Sequence, residues 1–282
     1  MGNMKLKEAV DRINALYPVE LSEDWDYPGL IVGDINSVVE KVYLTCDITH
    51  TVIEDAIEKQ ADLIFAHHPL FFRPVHAISG FTHRGNFVNM LIKHDIALYS
   101  GHTNADSAKN GVADAFAASL KLQNTKPILP FTEDSALGLG RIGYLPNEIT
   151  LYELATTLKT ISKPTEQGIK VAGDKNAKVR KVAVLPGDAK SALKIVKDLN
   201  PDVYITSDLT HHAVQDLVEE VTYLTSIDAR HSPTPYLIDI THSAAESIWL
   251  QVAKHDLSSA LDVSTDCIFI SDINTDPWTF SI

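Results

Sequence analysis

Residues 62–69, with the sequence DLIFAHHP, place two histidines and a proline directly after a short apolar run. The apolar run is typical of a buried strand in a parallel sheet, and ligands of such sheets bind at the carboxyl edge, where His67 and His68 lie. Because Pro69 keeps His68 extended, we expect the two imidazoles to diverge, which suits one metal ion each better than one shared ion. Taken alone, such a pair is more often structural than metal-binding.

Strands and helices alternate along the chain on both sides of this stretch. Leu6, Ala9 and Ile13 follow the period of an amphipathic helix over residues 4–17, which Pro18 ends. Apolar runs and helical periodicity likewise predict strands at 38–47, 62–66, 96–100, 141–145, 180–185, 203–206, 236–240 and 267–271, and helices at 51–59, 85–93, 108–120, 151–158, 189–199, 208–219 and 242–255. This alternation predicts an α/β fold with mostly parallel or mixed sheets.

A turn-rich segment, residues 122–140, predicts a domain boundary near residue 130. We therefore expect a first α/β domain of residues 1–130 with 232–282 and a second α/β domain of residues 131–231. The C-terminal segment is expected to return to the first domain and end in a strand. The glycines of GLGRIG, residues 138–143, lead into a strand-like run. They therefore indicate a glycine-rich segment at the start of a new domain rather than a nucleotide site.

The composition disfavours several classes of protein. Among 282 residues, 24 Lys and Arg stand against 37 Asp and Glu, a net charge of −13, which disfavours a broad grip on a nucleic-acid backbone. No apolar run approaches the ~18 residues of a membrane span, and the N-terminus enters a helical pattern without a signal-peptide core. Cys46 and Cys267 lie in apolar strand-like runs, which disfavours a disulfide framework or a cysteine zinc site. We expect a cytoplasmic protein without a membrane partner.

Two further segments carry histidine beside a carboxylate. His102 and Asp106 follow the apolar run IALYS, although Asp106 is equally suited to cap a helix that begins just after it. His242 and Glu246 have the i, i+4 spacing that places both side chains on one face of a helix. Here the alternative is a capping box of Ser243 and Glu246, which would engage the carboxylate with backbone N–H groups.

These signals are weak singly and stronger in combination. Three separated segments carry histidine or carboxylate groups at predicted strand-to-helix junctions, and such ligands suit Zn, Mn, Fe or Ni. If the junctions converge, they supply enough ligands for two metal ions ~3.5–4 Å apart, an arrangement that activates water. His211 and His212, at the start of an amphipathic helix, are either surface or pocket histidines.

Seven motifs, in their order along the chain, resemble those of the Nif-three-like dinuclear metal-centre proteins, often described as homologues of type-2 GTP cyclohydrolase I. They are EDWDYPGLIVGD (23–34), FAHHPLFF (65–72), YSGHTNADSAKNGVAD (99–114), GLGRIGYLP (138–146), VYITSDLTHH (203–212), DITHSAAES (239–247) and TDPW (275–278). The resemblance spans essentially the whole chain. It implies a Nif-three-like fold of two α/β domains, a dinuclear metal site in the first domain and a ring-shaped homohexamer.

The resemblance also implies which residues form the site. Matched motif by motif, the metal ligands are His67, His68, Asp106, His242 and Glu246. His102 is either a sixth ligand or a group beside the ligands, and we assign it, together with His212, a catalytic role in moving protons. The cofactors are then two divalent metal ions per chain (Zn, Fe, Mn or Ni), which we expect Glu246 to bridge.

The chain departs from the family pattern at three places near these residues. Ala105 stands where the family usually has leucine, Ser207-Asp208 where it usually has Gly-Glu, and Thr241 where it usually has glycine. The last two departures change backbone freedom or a pocket carboxylate, so they bear on the substrate. Every expected ligand is present.

The resemblance and the ligand pattern together predict a metal-dependent hydrolase that acts on a nucleotide, with opening of the GTP ring by metal-activated water as the specific candidate. Arg73 and Arg84 are the nearest candidates for phosphate contact. Two alternatives stay open. One is a non-catalytic, metal-loaded hexameric ring with a regulatory or partner-binding role, and the other is a phosphoesterase.

Overall fold

The structure of the chain is a computed structural model that describes residues 4–228 and 232–282. Its helices are α1 (Leu6–Leu16), α2 (His50–Glu58), α3 (His83–Lys93), α4 (Thr103–Ser107), α5 (Val112–Ser119), α6 (Leu151–Ile161), α7 (Leu193–Asp198), α8 (His211–Ile227), α9 (His242–Glu246) and α10 (Leu250–Leu261). Its strands are β1 (Gly29–Val32), β2 (Val42–Thr45), β3 (Leu63–Ala66), β4 (Ala97–Ser100), β5 (Gln123–Lys126), β6 (Leu129–Pro130), β7 (Gly138–Leu139), β8 (Arg141–Thr150), β9 (Lys170–Ala172), β10 (Lys178–Asp188), β11 (Val203–Ser207), β12 (Tyr236–Asp239) and β13 (Ile268–Ile270).

The predicted α/β class is confirmed, and the chain packs as two compact units. The first unit is Met1–Gly111 with Trp249–Thr275, and the second is Val112–Ile248 with Asp276–Ile282. The domain boundaries expected from the sequence, near residues 130 and 231, stay a prediction. Residues 1–3, which carry part of the N-terminal expectation, and residue 231 lie outside the described residues.

The first unit contains a five-stranded sheet with the strand order β1-β4-β3-β2-β13. β13, β2, β3 and β4 run parallel, and β1 pairs antiparallel with β4 at the edge. All residues of β2, β3 and β4 are buried, as parallel strands covered on both faces require. The last strand of the chain thus returns to the sheet that its early strands form, as expected.

Helices α2 and α3 bury apolar faces in the core of this unit. Val52 and Ile53 of α2 and Phe87 and Leu91 of α3 join one apolar cluster with residues of β3 and β4. Each helix begins at a threonine whose side chain accepts a hydrogen bond from a backbone N–H of the first turn. These threonines therefore fix the residues at which α2 and α3 begin.

The second unit contains a six-stranded sheet with the order β5-β8-β10-β11-β12-β9. β10, β11 and β12 run parallel, whereas β8 and β9 pair antiparallel with β10 and β12. Thr150 and Glu153 form a capping box that begins α6. α9 starts three residues after β12, so its side chains lie at the carboxyl end of a parallel strand.

Several features differ from the sequence expectations. The helix expected over residues 108–120 begins only at Val112, as α5, and a separate short helix, α4, precedes it; between them Gly111 approaches the carbonyl oxygen of Ala105 so closely that a side chain there would collide with it. The helix expected over residues 242–255 is interrupted by a 3₁₀ turn at Ser247–Trp249. β1 was not expected, because its half-buried residues show no alternation of apolar and polar side chains. Among the described residues, no helix combines the length and apolar composition needed to cross a bilayer.

Candidate metal centre

Three histidines meet at the carboxyl edge of the five-stranded sheet. His67 and His68 directly follow β3, and His102 follows its parallel neighbour β4 after one glycine. The ring centroids of His67 and His68 lie 4.8 Å apart, and those of His67 and His102 lie 5.4 Å apart. The expectation that the first two imidazoles diverge is therefore wrong. β3 ends at Ala66, so the alternation of side chains along a strand no longer applies to the pair.

His67 and His68 are each held through Nδ1. The Nδ1 of His67 donates to the backbone oxygen of Gly101 at 2.8 Å, and the Nδ1 of His68 donates to Oδ1 of Asp47 at 2.7 Å. A carbonyl or carboxylate oxygen only accepts, so in the neutral imidazole the proton sits on Nδ1 and the lone pair on Nε2. This is the arrangement by which proteins present Nε2 to a metal ion.

Asp47 is a site residue that the sequence analysis missed. It lies just beyond β2, the third parallel strand to end at this edge, and its Oδ2 accepts a hydrogen bond from the hydroxyl of Thr275. Thr275 belongs to the closing TDPW motif, which thereby supports the position of His68 through one intermediate side chain. The position of Asp47 after an apolar strand was the available signal.

His102 is held by a buried carboxylate that the sequence analysis also missed. Its Nδ1 donates to Oδ2 of Asp26 at 3.0 Å, and the backbone N–H and hydroxyl of Thr103 donate to the same oxygen. Burial alone would raise the pKa of Asp26, but the hydrogen bonds from His102 and Thr103 outweigh burial and lower the pKa to about 2. His102 is 8% exposed and keeps Nε2 as its proton-accepting nitrogen.

Asp106 lies beside His67. It belongs to the short helix α4, where its backbone N–H donates to the carbonyl oxygen of His102, and its Oδ1 is 3.7 Å from Nε2 of His67. The next helix, α5, begins only at Val112, so the alternative that Asp106 caps a helix starting near residue 107 is wrong. This geometry is compatible with the predicted ligand role.

His242 and Glu246 form an ion pair along α9. The Nε2 of His242 lies 2.8 Å from Oε1 of Glu246, and its Nδ1 lies 2.7 Å from Oδ2 of Asp208. Burial alone would lower the pKa of His242, but the two carboxylates outweigh burial and raise the pKa to about 11. α9 begins at His242 with Thr241 as its cap residue, so Ser243 is inside the helix and the capping-box alternative is wrong.

Gly187, at the end of β10, is a further residue that the sequence analysis did not identify. A Cβ atom there would lie 2.9 Å from Oε1 of Glu246 and 3.6 Å from Nε2 of His242. Its φ of +88° also falls in the region that favours glycine. The backbone at Gly187 therefore leaves space for the carboxylate of Glu246, which is 3% exposed.

Two of the departures from the family pattern have a structural explanation. Asp208 has a φ of +56°, a conformation that aspartate tolerates better than most residues, and its carboxylate contacts His242. Thr241 has a φ of −54°, which any residue adopts, and its hydroxyl lies 2.7 Å from that of Thr165. Neither substitution strains the backbone beside α9 or removes a carboxylate from the site. Nothing in the structure explains Ala105.

Each unit brings together predicted ligands that could hold a metal ion. In the first unit the rings of His67 and His68 lie 4.8 Å apart, and Asp106 lies beside His67. In the second unit His242 lies beside Glu246. Imidazoles and carboxylates are suitable ligands for Zn, Mn, Fe or Ni.

His212 lies on the first turn of α8 and is exposed. Its ring packs against that of His211, with centroids 5.2 Å apart. Its expected role in moving protons stays a prediction. His102, by contrast, has ring contacts with both His67 and His68.

Comparison with known proteins gives consistent matches over the whole chain. The family model described as Duf34/NIF3 (NGG1p interacting factor 3) matches residues 4–277. A Streptomyces coelicolor protein named GTP cyclohydrolase 1 type 2 homolog is 36% identical over 98% of this chain and 94% of its own length. A Clostridium perfringens protein of the same name is 35% identical over 87% of this chain and 93% of its own. The crystal structure of a Bacillus cereus protein related to NIF3 superposes with a TM-score of 0.84 at 26% identity, and the match covers 100% of both chains.

Proposed function

The chain belongs to the Duf34/NIF3 family, and on that basis we propose that it is a metal-dependent hydrolase that acts on a nucleotide. The observation that carries the proposal is the group of His67, His68 and Asp106: both histidines are held through Nδ1, and Oδ1 of Asp106 lies 3.7 Å from Nε2 of His67. Histidine and carboxylate ligands of this kind hold the divalent ions that hydrolases use. The relatives named GTP cyclohydrolase 1 type 2 homolog make a nucleotide the first substrate to examine.

We propose two divalent ions per chain, held by His67, His68, Asp106, His242 and Glu246. The donor set fits this role, because the two strand-end histidines are held through Nδ1 and Glu246 is buried beside a glycine that leaves it room. When bound, such ions polarise the substrate and activate water for attack. Glu246 has two carboxylate oxygens, so it can serve both ions.

His102 is the proposed acid and base. Asp26 accepts the proton of Nδ1, so Nε2 of His102 carries the lone pair that takes a proton from water and returns it to a departing nitrogen or oxygen. The residue is largely shielded from bulk solvent, with 8% of its surface exposed. The proposed reaction is the hydrolysis of the imidazole ring of GTP by two water molecules. The first adds to the carbon between the two ring nitrogens and breaks one C–N bond, which leaves a formamide, and the second breaks the other C–N bond and releases that carbon as formate.

Assembly and location are part of the same proposal. We propose a homohexamer in the cytoplasm, with the family resemblance as its support. Light scattering at micromolar concentration should then give a mass about six times the 31.0 kDa of one chain. A mass of one chain under those conditions would contradict the proposed assembly.

The proposed activity is tested by a turnover screen on purified protein reconstituted separately with Zn, Mn, Fe and Ni. We expect one or more of these forms to release formate from GTP, and excess chelator to abolish the release. Retained metal without turnover of any nucleotide would support the alternative of a non-catalytic metal-loaded ring. Phosphate release without formate would support the phosphoesterase alternative.

A further inference from the structure

Two exposed aromatic side chains lie against His102. The ring centroids of Trp25 and Phe72 lie 5.8 Å and 5.7 Å from that of His102, and both rings meet it edge-on, at 78° and 80°. Trp25 is 57% exposed and Phe72 is 52% exposed. Large apolar rings grouped beside convergent polar groups, and left open to solvent, are typical of a ligand-binding surface.

Trp25 is held in place by the residues on either side of it. Asp26, the next residue, is 8% exposed and binds both His102 and Thr103, while the backbone N–H of Glu23 donates to the hydroxyl of Thr103 at 3.0 Å. The segment is therefore tied at two points to the junction between β4 and α4. Trp25 is thus fixed over His102 before any ligand binds, which lowers the entropic cost of binding.

Phe72 approaches the same histidine from a different segment. It follows the HHP motif, and its ring also lies 6.4 Å from that of His68. Nε of Arg84, in α3, donates to the carbonyl oxygen of Leu70 at 2.9 Å and ties this segment to the helix. Arg84 was expected to contact phosphate. Its side chain instead helps to hold the segment that carries Phe72.

We propose that Trp25 and Phe72 form a subsite that binds the planar heteroaromatic ring of the substrate and holds it beside His102. The proposal rests on the proposed function, because it names the class of group that the same site recognises, a purine base. Aromatic side chains stack on bases through their π-faces and tolerate differences in ring substituents. The subsite therefore recognises the base, and the sugar and phosphates contribute separately.

The test uses the full-length, metal-loaded protein and two probes, guanosine and ribose 5-phosphate. Equilibrium dialysis should show that Trp25→Ala and Phe72→Ala each weaken guanosine binding about tenfold, and that Trp25→Phe, which keeps a stacking ring, weakens it less than about threefold. Binding of ribose 5-phosphate should be unchanged. Phe81→Ala is the matched control, because Phe81 is 102% exposed and makes no ring contact among the described residues.

Tryptophan fluorescence supplies a second readout. Trp249 is fully buried and Trp278 is 61% exposed, so in a Trp278→Phe background Trp25 is the one exposed tryptophan of the chain. Guanosine should quench its emission, and ribose 5-phosphate should not. Absence of guanosine binding to the wild-type protein, or equal binding by wild-type protein and both alanine variants, would overturn the subsite.

Failure of the subsite and failure of the proposed function give different results. If Trp25-dependent guanosine binding occurs and no nucleotide is turned over, the subsite stands and the hydrolase proposal fails. If GTP is turned over and Trp25→Ala and Phe72→Ala leave KM unchanged, the hydrolase proposal stands and the subsite fails.

Discussion

Two groups of predicted metal-site residues differ at the histidine nitrogen Nε2. The strand-end histidines, His67, His68 and His102, each donate Nδ1 to an oxygen of another segment, namely Gly101, Asp47 and Asp26. In the α9 pair, His242 is likewise held at Nδ1, by Asp208, but its Nε2 also forms an ion pair with Oε1 of Glu246, 2.8 Å away. The ring orientations of both groups are thus fixed without a metal ion, whereas only in the α9 pair does an ion pair at 2.8 Å engage Nε2.

This difference indicates where metal binding changes the structure. A histidine nitrogen must be deprotonated to bind a metal ion, so His242 has to give up both its proton and its contact with Glu246. The strand-end histidines already carry their proton on the other nitrogen. We therefore expect the strand-end histidines to set the affinity for the first ion and the α9 pair to respond to it.

The largest effect is expected for Glu246→Gln. A neutral amide bridges two cations poorly, so this variant should lose at least one metal ion and nearly all turnover, as elemental analysis and the formate assay would show. Its melting temperature in excess chelator should stay close to that of the wild type, because Gln fits the same space. The control is Glu153→Gln, since Gln can still complete the capping box of α6, and it should retain all metal. Wild-type metal content and activity in Glu246→Gln would remove Glu246 from the site.

The second-largest effect is expected for a variant of a strand-end histidine that separates proton transfer from metal binding. His102→Ala should keep both metal ions and lower kcat by at least about a hundredfold, because it removes the proposed acid and base. His83→Ala, an exposed histidine that packs on Phe87 in the same unit, should leave kcat unchanged. Loss of both ions from His102→Ala would identify it as a ligand and contradict the proton-transfer role.

A smaller effect is expected where the support of His68 is weakened. Asp47→Asn removes the charge of the carboxylate that accepts the proton of His68 Nδ1, and loss of such support costs about 10- to 100-fold in metal affinity. Titration of the metal-free variant with Zn, followed by calorimetry, measures this change. An affinity equal to that of the wild type would show that the orientation of the strand-end histidines does not depend on their acceptors.

The smallest effect is expected for Asp208→Asn, the matching change beside the α9 pair. Glu246 still holds His242 in this variant, so the metal affinity should fall less than tenfold. The same titration compares the two variants directly. If Asp208→Asn weakens metal binding more than Asp47→Asn does, metal affinity depends more on the support of the α9 pair than on that of the strand-end histidines, which would contradict the proposed difference.

The sequence predicted the parts of the site that follow from local rules. The parallel strands β3 and β4 end at one edge, so the histidines after them had to lie close together, and i, i+4 spacing placed His242 beside Glu246. Apolar runs likewise predicted most strands and the α/β class.

The parts that the sequence did not predict depend on contacts between distant segments. Asp26 is 76 residues from His102, and Asp47 is 21 residues from His68, so no spacing rule connects either pair. The break between α4 and α5 depends on the close approach of Gly111 to Ala105, a contact that helical periodicity does not register. Partners of this kind become visible only when the chain is folded.

The most direct test of the account is the metal content of the wild-type chain. The protein should be stripped with chelator, reconstituted separately with Zn, Mn, Fe or Ni, freed of excess ions and analysed for metal and protein together. We predict about two ions per chain with at least one of these metals, because five ligand residues exceed the need of one tetrahedral site. Less than one ion per chain with every metal would contradict the dinuclear centre.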